Sequence, residues 1–190
     1  MYVWLLFLLT SLSASLAADN QKASVDFLKK FHQNDYKLEF ERVQIIHFKK
    51  QYMKKCEAVT FKYNRTTAVI NMTWEFTADV GYNYNLVFQA YKFASNEYRQ
   101  FPIRFQVNVC DAMKENFMGS QDFTRCGNFT GCPFLKNRTY RICNWSPDEA
   151  HFPPLIPNGR YMVEIQALVR TEEMFLARGY GTIYRPIVKK

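Results

Sequence analysis

The chain has 190 residues, 48% hydrophobic, 17% aromatic and 22% charged, with a formal net charge of +8 at pH 7. So many large apolar side chains exclude a disordered chain, and the length suits one domain with a core of its own. The charge is spread over Lys29-Lys30, Lys49-Lys50, Lys54-Lys55 and Lys189-Lys190. It reads as a solvated basic surface, or more sharply as attraction to anionic head groups or an acidic partner; no motif points to nucleic acid.

Met1–Ala17 is an apolar run ending in small residues, and it predicts a signal peptide followed by a domain over 18–190. The run is too short to span a bilayer and no second one follows, so a secreted, extracellular protein without a transmembrane anchor is expected. Five sequons, opened by Asn64, Asn71, Asn128, Asn137 and Asn144, agree with that route, although Pro147 makes the last a poor acceptor.

Ser24–Phe31 predicts a short helical turn. Tyr36, Leu38 and Phe40 alternate with Lys37, Glu39 and Glu41 as a half-buried strand, with Val43–Phe48 as its continuation or a second strand. Val59–Asn64 leads to Thr66–Phe76, TTAVINMTWEF, the clearest strand of the chain. There Ala68, Ile70, Met72, Trp74 and Phe76 take one face, and Val69, Asn71, Thr73 and Glu75 the other. A sugar on Asn71 must sit in water, which turns the Ile/Met/Trp/Phe face inward.

Leu86–Phe93 resumes the pattern, and Ser95-Asn96-Glu97 reads as a hairpin break. Ile103–Cys110 is a second clear strand, with Ile103, Phe105, Val107 and Val109 inward and Arg104, Gln106 and Asn108 outward. Asp111–Phe117 predicts a short helix. Gly119–Pro157 reads as a long irregular region with several exposed-looking aromatics, the kind of loop that is functional or pinned by disulfides. Tyr161–Arg170 turns Tyr161, Val163, Ile165, Ala167 and Val169 inward. Met174–Tyr184 closes the chain, with Gly179 and Gly181 suggesting a bulge or close backbone approach. About seven or eight antiparallel strands predict a single-domain all-β sandwich or cup.

The five cysteines, Cys56, Cys110, Cys126, Cys132 and Cys143, predict two disulfides and one leftover thiol in an oxidising compartment, with the pairing open. Their spacing does not suit zinc, and no metal or cofactor is expected. His32, His47 and His151 occupy unrelated contexts. Asp148, Glu149 and His151, or Cys110 beside Asp111, could be imagined as catalytic sets, but a loop ornament and a disulfide are the simpler readings. No catalytic motif is present, and a non-enzymatic protein is expected. The aromatics either fill a solid core or line an apolar cavity between splayed sheets. In the solid-core alternative the chain is an extracellular interaction module that acts on a receptor or channel through the 119–157 loop, with Phe129 and Phe134 as contacts.

Three pieces, in order, carry a resemblance: Tyr63-Asn64-Arg65-Thr66 running into Ile70–Trp74, then Val107–Met113 (VNVCDAM), then Gly131–Phe134 (GCPF). Over about Tyr36–Ile187 the chain resembles an insect-specific family of small secreted proteins that includes the CheB chemosensory proteins. That family is related to the ganglioside-activator and ML lipid-recognition group. The resemblance implies a β-sandwich or cup enclosing an apolar pocket for a lipid or other hydrophobic small molecule, with a role in pheromone detection. It supplies no binding motif, so the cavity candidates follow from strand alternation: Ile70, Met72, Trp74, Phe76, Phe105, Val107, Val163 and Ile165.

Overall fold

The computed structural model describes residues 32–125 and 128–186; the signal segment, the predicted Ser24–Phe31 turn and Cys126 lie outside them. Period-2 segments become eight strands because each can bury one face and keep the other in water. They are β1 (Lys37–Phe48), β2 (Met53–Lys62), β3 (Ala68–Phe76), β4 (Tyr84–Ala94), β5 (Glu97–Asn108), β6 (Thr139–Trp145), β7 (Gly159–Val169) and β8 (Glu172–Tyr184). Two antiparallel sheets result, ordered β1-β8-β7-β4-β5 and β2-β3-β6, which makes an all-β sandwich.

Turn chemistry sets the hairpins. Ser95 and Asn96, between β4 and β5, both have positive φ (52° and 64°), as a two-residue hairpin turn demands. Between β2 and β3, the Asn64 carboxamide oxygen accepts the backbone N–H groups of Thr66 and Thr67 at 2.9 and 2.8 Å. Val43–Phe48 continues β1 rather than forming its own strand, through irregularities between Phe40 and Arg42 and between Ile45 and His47.

Several expectations need correction. Cys56 is free, so its place among the disulfide candidates falls; Cys110 pairs with Cys132, and Cys143 is also disulfide-bonded. Asn108 points inward, 3% exposed, and ends β5 rather than decorating it. Its side-chain oxygen accepts the N–H of Cys110 (3.0 Å) and of Asp111 (3.3 Å), capping a short helix α1 (Val109–Lys114) that takes Val109 and Cys110 out of the strand. The 119–157 region is not irregular throughout: Thr139–Trp145 is β6, paired with β3. Its seven residues carry charge, sequon and cysteine, and their strand character comes from pairing with β3 rather than from their own pattern. Val69, read as outward, is buried.

The core is solid at one end of the sandwich. Trp74, Phe76, Tyr84, Phe129, Phe134 and Tyr140 form an aromatic knot, with centroids 5.4 Å apart for Phe76–Phe134 and Phe134–Tyr140 and 5.8 Å for Trp74–Phe129. The fully buried Tyr140 uses its hydroxyl to accept the Leu135 N–H at 2.7 Å, so its polar tip is satisfied. Phe129 and Phe134 are therefore core residues, not exposed contacts, which corrects the reading that gave them to a receptor.

Candidate functional site

Strand register places side chains in rows across the inner face of the five-stranded sheet. One row runs Phe105, Phe88, Ile165, Ala177 and Ile45, from β5 to β1. The next runs Ala90, Val163, Gly179 and Val43. In that second row a glycine stands where a side chain would face the other sheet. A Cβ built on Gly179 meets no atom within 4 Å among the described residues.

The packing divides around this gap. On one side Phe88, Val107 and Ala112 are buried, with Phe105, Phe117, Met118, Val163 and Ile165 half-buried against them. On the other side Phe40, Ala68 and Ile70 are buried, with Val43, Ala58, Met72 and Trp145 half-buried around them. No residue belongs to both groups. The aromatic knot joins them at one end through Leu86, Met72 and Trp145. The inner face thus carries two apolar groups that share no residue, with half-buried side chains in each and an open position at Gly179 in the row between Val163 and Val43.

A 3₁₀ segment, Phe117–Thr124, packs against the first of these groups through Phe117 and Met118. It is broken where Met118 and Gly119 take positive φ (54° and 80°), which turns Phe117 onto Phe88 and Phe105 at 5.7 and 5.9 Å. The Trp145 indole N–H donates to the Gly119 carbonyl at 3.3 Å, and the Asp148 N–H to the Met118 carbonyl at 3.3 Å, tying this segment to the end of β6.

The eight cavity candidates divide accordingly. Phe105, Val163 and Ile165 belong to the group around Phe88, and Met72 to the group around Phe40 and Ile70. Val107 and Ile70 are fully buried within those two groups, and Trp74 and Phe76 sit in the aromatic knot. Alternation alone did not single out Gly179, Val43, Phe117 or Met118. The one signal was an inward-phase glycine in an otherwise bulky strand.

The polar sets that the sequence offered for chemistry are occupied. Asp148 caps the 3₁₀ turn Glu149–His151, accepting the Ala150 N–H at 3.0 Å, and its other oxygen pairs with His151 at 3.0 Å. Glu149 pairs with Lys37 at 3.1 Å. Among the described residues no group of three or more His, Cys, Asp or Glu is placed to hold a metal. A polar depression of about 260 Å³ on the outer face of the larger sheet is lined by Gln89, Arg104, Glu164 and Gln166 among others. Its amides and carboxylate are engaged: Gln89 donates to the Phe101 carbonyl at 2.9 Å, Glu164 binds Arg178 at 2.9 Å, and Gln166 donates to Glu173 at 2.7 Å. No helix of the described residues is long and apolar enough to cross a membrane.

Residues 83–163 match a family model described as "Protein of unknown function (DUF1091)". No curated protein matches the sequence. Among solved structures the chain is similar to the crystal structure of a Niemann-Pick type C2 protein from Japanese carpenter ant, at 10% identity and a TM-score of 0.36, over 74% of this chain and 97% of that one.

Proposed function

We propose that this chain is a secreted, non-enzymatic binder of a lipid or other hydrophobic small molecule, held in the inter-sheet cleft over Gly179. The observation that carries the reading is the open floor at Gly179 between two apolar groups that do not pack on each other. Space of this kind, lined without charge, stabilises an apolar guest by about 25 cal/mol per Å² buried, less the cost of ordering it. The five sequon asparagines are all exposed, which supports passage through a glycosylating route. The resemblance of the Asn64-Arg65-Thr66, VCDAM and GCPF series supports a carrier or cofactor role in chemosensory detection of pheromones.

The test is native mass spectrometry with lipid extraction on protein secreted from eukaryotic cells, beside uptake of a fluorescent fatty-acid probe. Wild type is expected to hold about one guest per chain. Gly179→Leu fills the floor and is expected to keep its melting temperature while losing about tenfold or more in probe affinity, since one leucine displaces several buried methylenes of guest. A clean apo wild type that takes up no probe, or a folded Gly179→Leu that binds as well as wild type, overturns the reading.

A further inference from the structure

The polar depression on the outer face of the larger sheet contains an arginine without a counter-charge. Register lines up Arg104, Gln89, Glu164 and Arg178 across β5, β4, β7 and β8, one carboxylate between two guanidinium groups. Arg178 takes that carboxylate, its Nε at 3.0 Å and its Nη2 at 2.9 Å from the same Glu164 oxygen. Two further arginines of this face lie on aromatic rings, Arg42 at 4.0 Å over Tyr180 and Arg160 at 3.9 Å over Phe93. Arg104 is exposed, lines the depression, and has no ion-pair or hydrogen-bond partner for its guanidinium among the described residues. The amides beside it are half used. Gln100 donates to the Gln89 oxygen at 3.2 Å and Gln166 to Glu173, while the carbonyl oxygens of Gln100 and Gln166 accept no bond among the described residues. Val87 is the one fully buried lining residue, and Tyr91 is half-buried beside it.

We infer that this depression binds a small carboxylate that also carries hydroxyl groups, a sugar acid in chemical class. Arg104 offers the carboxylate a planar fork of N–H donors. The Gln100 and Gln166 carbonyl oxygens accept hydroxyl protons, and Val87 with the Tyr91 ring gives apolar surface to the C–H groups of a sugar ring. A neutral sugar leaves Arg104 unanswered, and an apolar carboxylate leaves the two amide oxygens without donors. The volume of about 260 Å³ is below the ~300–1,000 Å³ of sites for drug-sized ligands, which suits a single ring. Gly179 faces the other side of the same sheet, so this site is independent of the proposed apolar guest and does not compete with it.

The experiment titrates glucuronate and its methyl glycoside into the full chain secreted from eukaryotic cells, by calorimetry and saturation-transfer difference NMR. Glucose and hexanoate serve as the neutral and the apolar counterparts. Saturable binding of either uronate, at least about tenfold tighter than glucose or hexanoate, is expected. Binding of the glycoside alone identifies a uronate within a glycan chain as the source, and binding of both admits the free acid. Arg104→Gln is expected to weaken binding about tenfold or more, through loss of one charged, two-pronged pair. Arg104→Lys recovers only part of that loss, because an ammonium keeps the charge without the fork. Arg99→Gln removes a charge from the same strand, from an exposed arginine that pairs with Glu97 at 2.7 Å, and is expected to leave binding unchanged. No saturable uronate binding overturns the inference, as does glucose or hexanoate binding as tightly. So does an Arg104→Gln protein that binds like wild type, or one that loses no more than Arg99→Gln. Uronate binding in a chain that takes up no fatty-acid probe supports this site and overturns the apolar guest alone.

Discussion

Cys56 stands opposite Trp74 across β2 and β3, half-buried against the aromatic knot. Burial, with a smaller contribution from Glu57, pushes its thiol up to about 12, because a thiolate there would lose its hydration. Thiolate is the reactive form, so the native thiol is expected to react with a disulfide reagent at pH 8 roughly a thousandfold slower than in urea. Similar rates in the two states would show that the thiol is open to solvent. Asn108 makes the same point about environment. Four of its contacts are to backbone: two N–H groups of α1 on its oxygen, and the Tyr82 and Tyr84 carbonyls on its nitrogen at 2.8 and 3.2 Å. As a letter in VNVCDAM it was indistinguishable from a solvated strand residue; a buried asparagine is tolerated only where such partners converge.

At the scale of the element, β8 holds two glycines in the same phase with opposite reasons. A Cβ on Gly181 would stand 2.9 Å from Leu38 Cδ1 and 3.0 Å from the Glu39 carbonyl oxygen, beside the irregularity where β1 crosses it. Gly181→Ala is therefore expected to cost about 1–3 kcal/mol. Gly179→Ala points into open space and is expected to stabilise by about 0.5 kcal/mol, through lower chain entropy and better strand propensity. Urea midpoints of the two variants check this. Equal shifts would mean that the cleft floor is as crowded as the β1 crossing. β6 belongs here as well. Its residues become a strand because β3 offers a free edge, and the pairing sets Tyr140 opposite Trp74.

For the whole molecule, the sandwich separates a solid aromatic end from the region around Gly179 where the proposed guest would sit. Phe134 is enclosed by Phe76, Tyr84, Phe129 and Tyr140. It is held near α1 by the Cys110–Cys132 disulfide and by paired backbone hydrogen bonds with Val80 at 2.7 and 2.8 Å. Phe134→Ala is expected to cost about 3–5 kcal/mol while changing probe affinity less than about twofold as long as the chain stays folded. Gly179→Leu is expected to do the reverse. Thermal melts and probe titrations on both variants decide it, and a joint loss of stability and binding in Phe134→Ala would show one continuous core instead.

The sequence by itself determined the all-β class, seven of the eight strands and the inward faces of β3 and β7, though not the burial of Val69 on the other side of β3, because period-2 alternation is a local consequence of burying one side of a pleated chain. It also marked the Ser95-Asn96 turn, where short-range chemistry suffices. Tertiary structure alone decided the pairing of β6, the burial of Phe129 and Phe134, the free state of Cys56, and which inward residues are packed solid and which border a gap. Those outcomes depend on cross-strand register and on how far apart the two sheets stand, quantities set by contacts between residues remote in sequence. Gly179 is the sharpest case: its strand phase is legible from alternation, while the emptiness above it exists only once Val43 and Val163 are brought to its two sides.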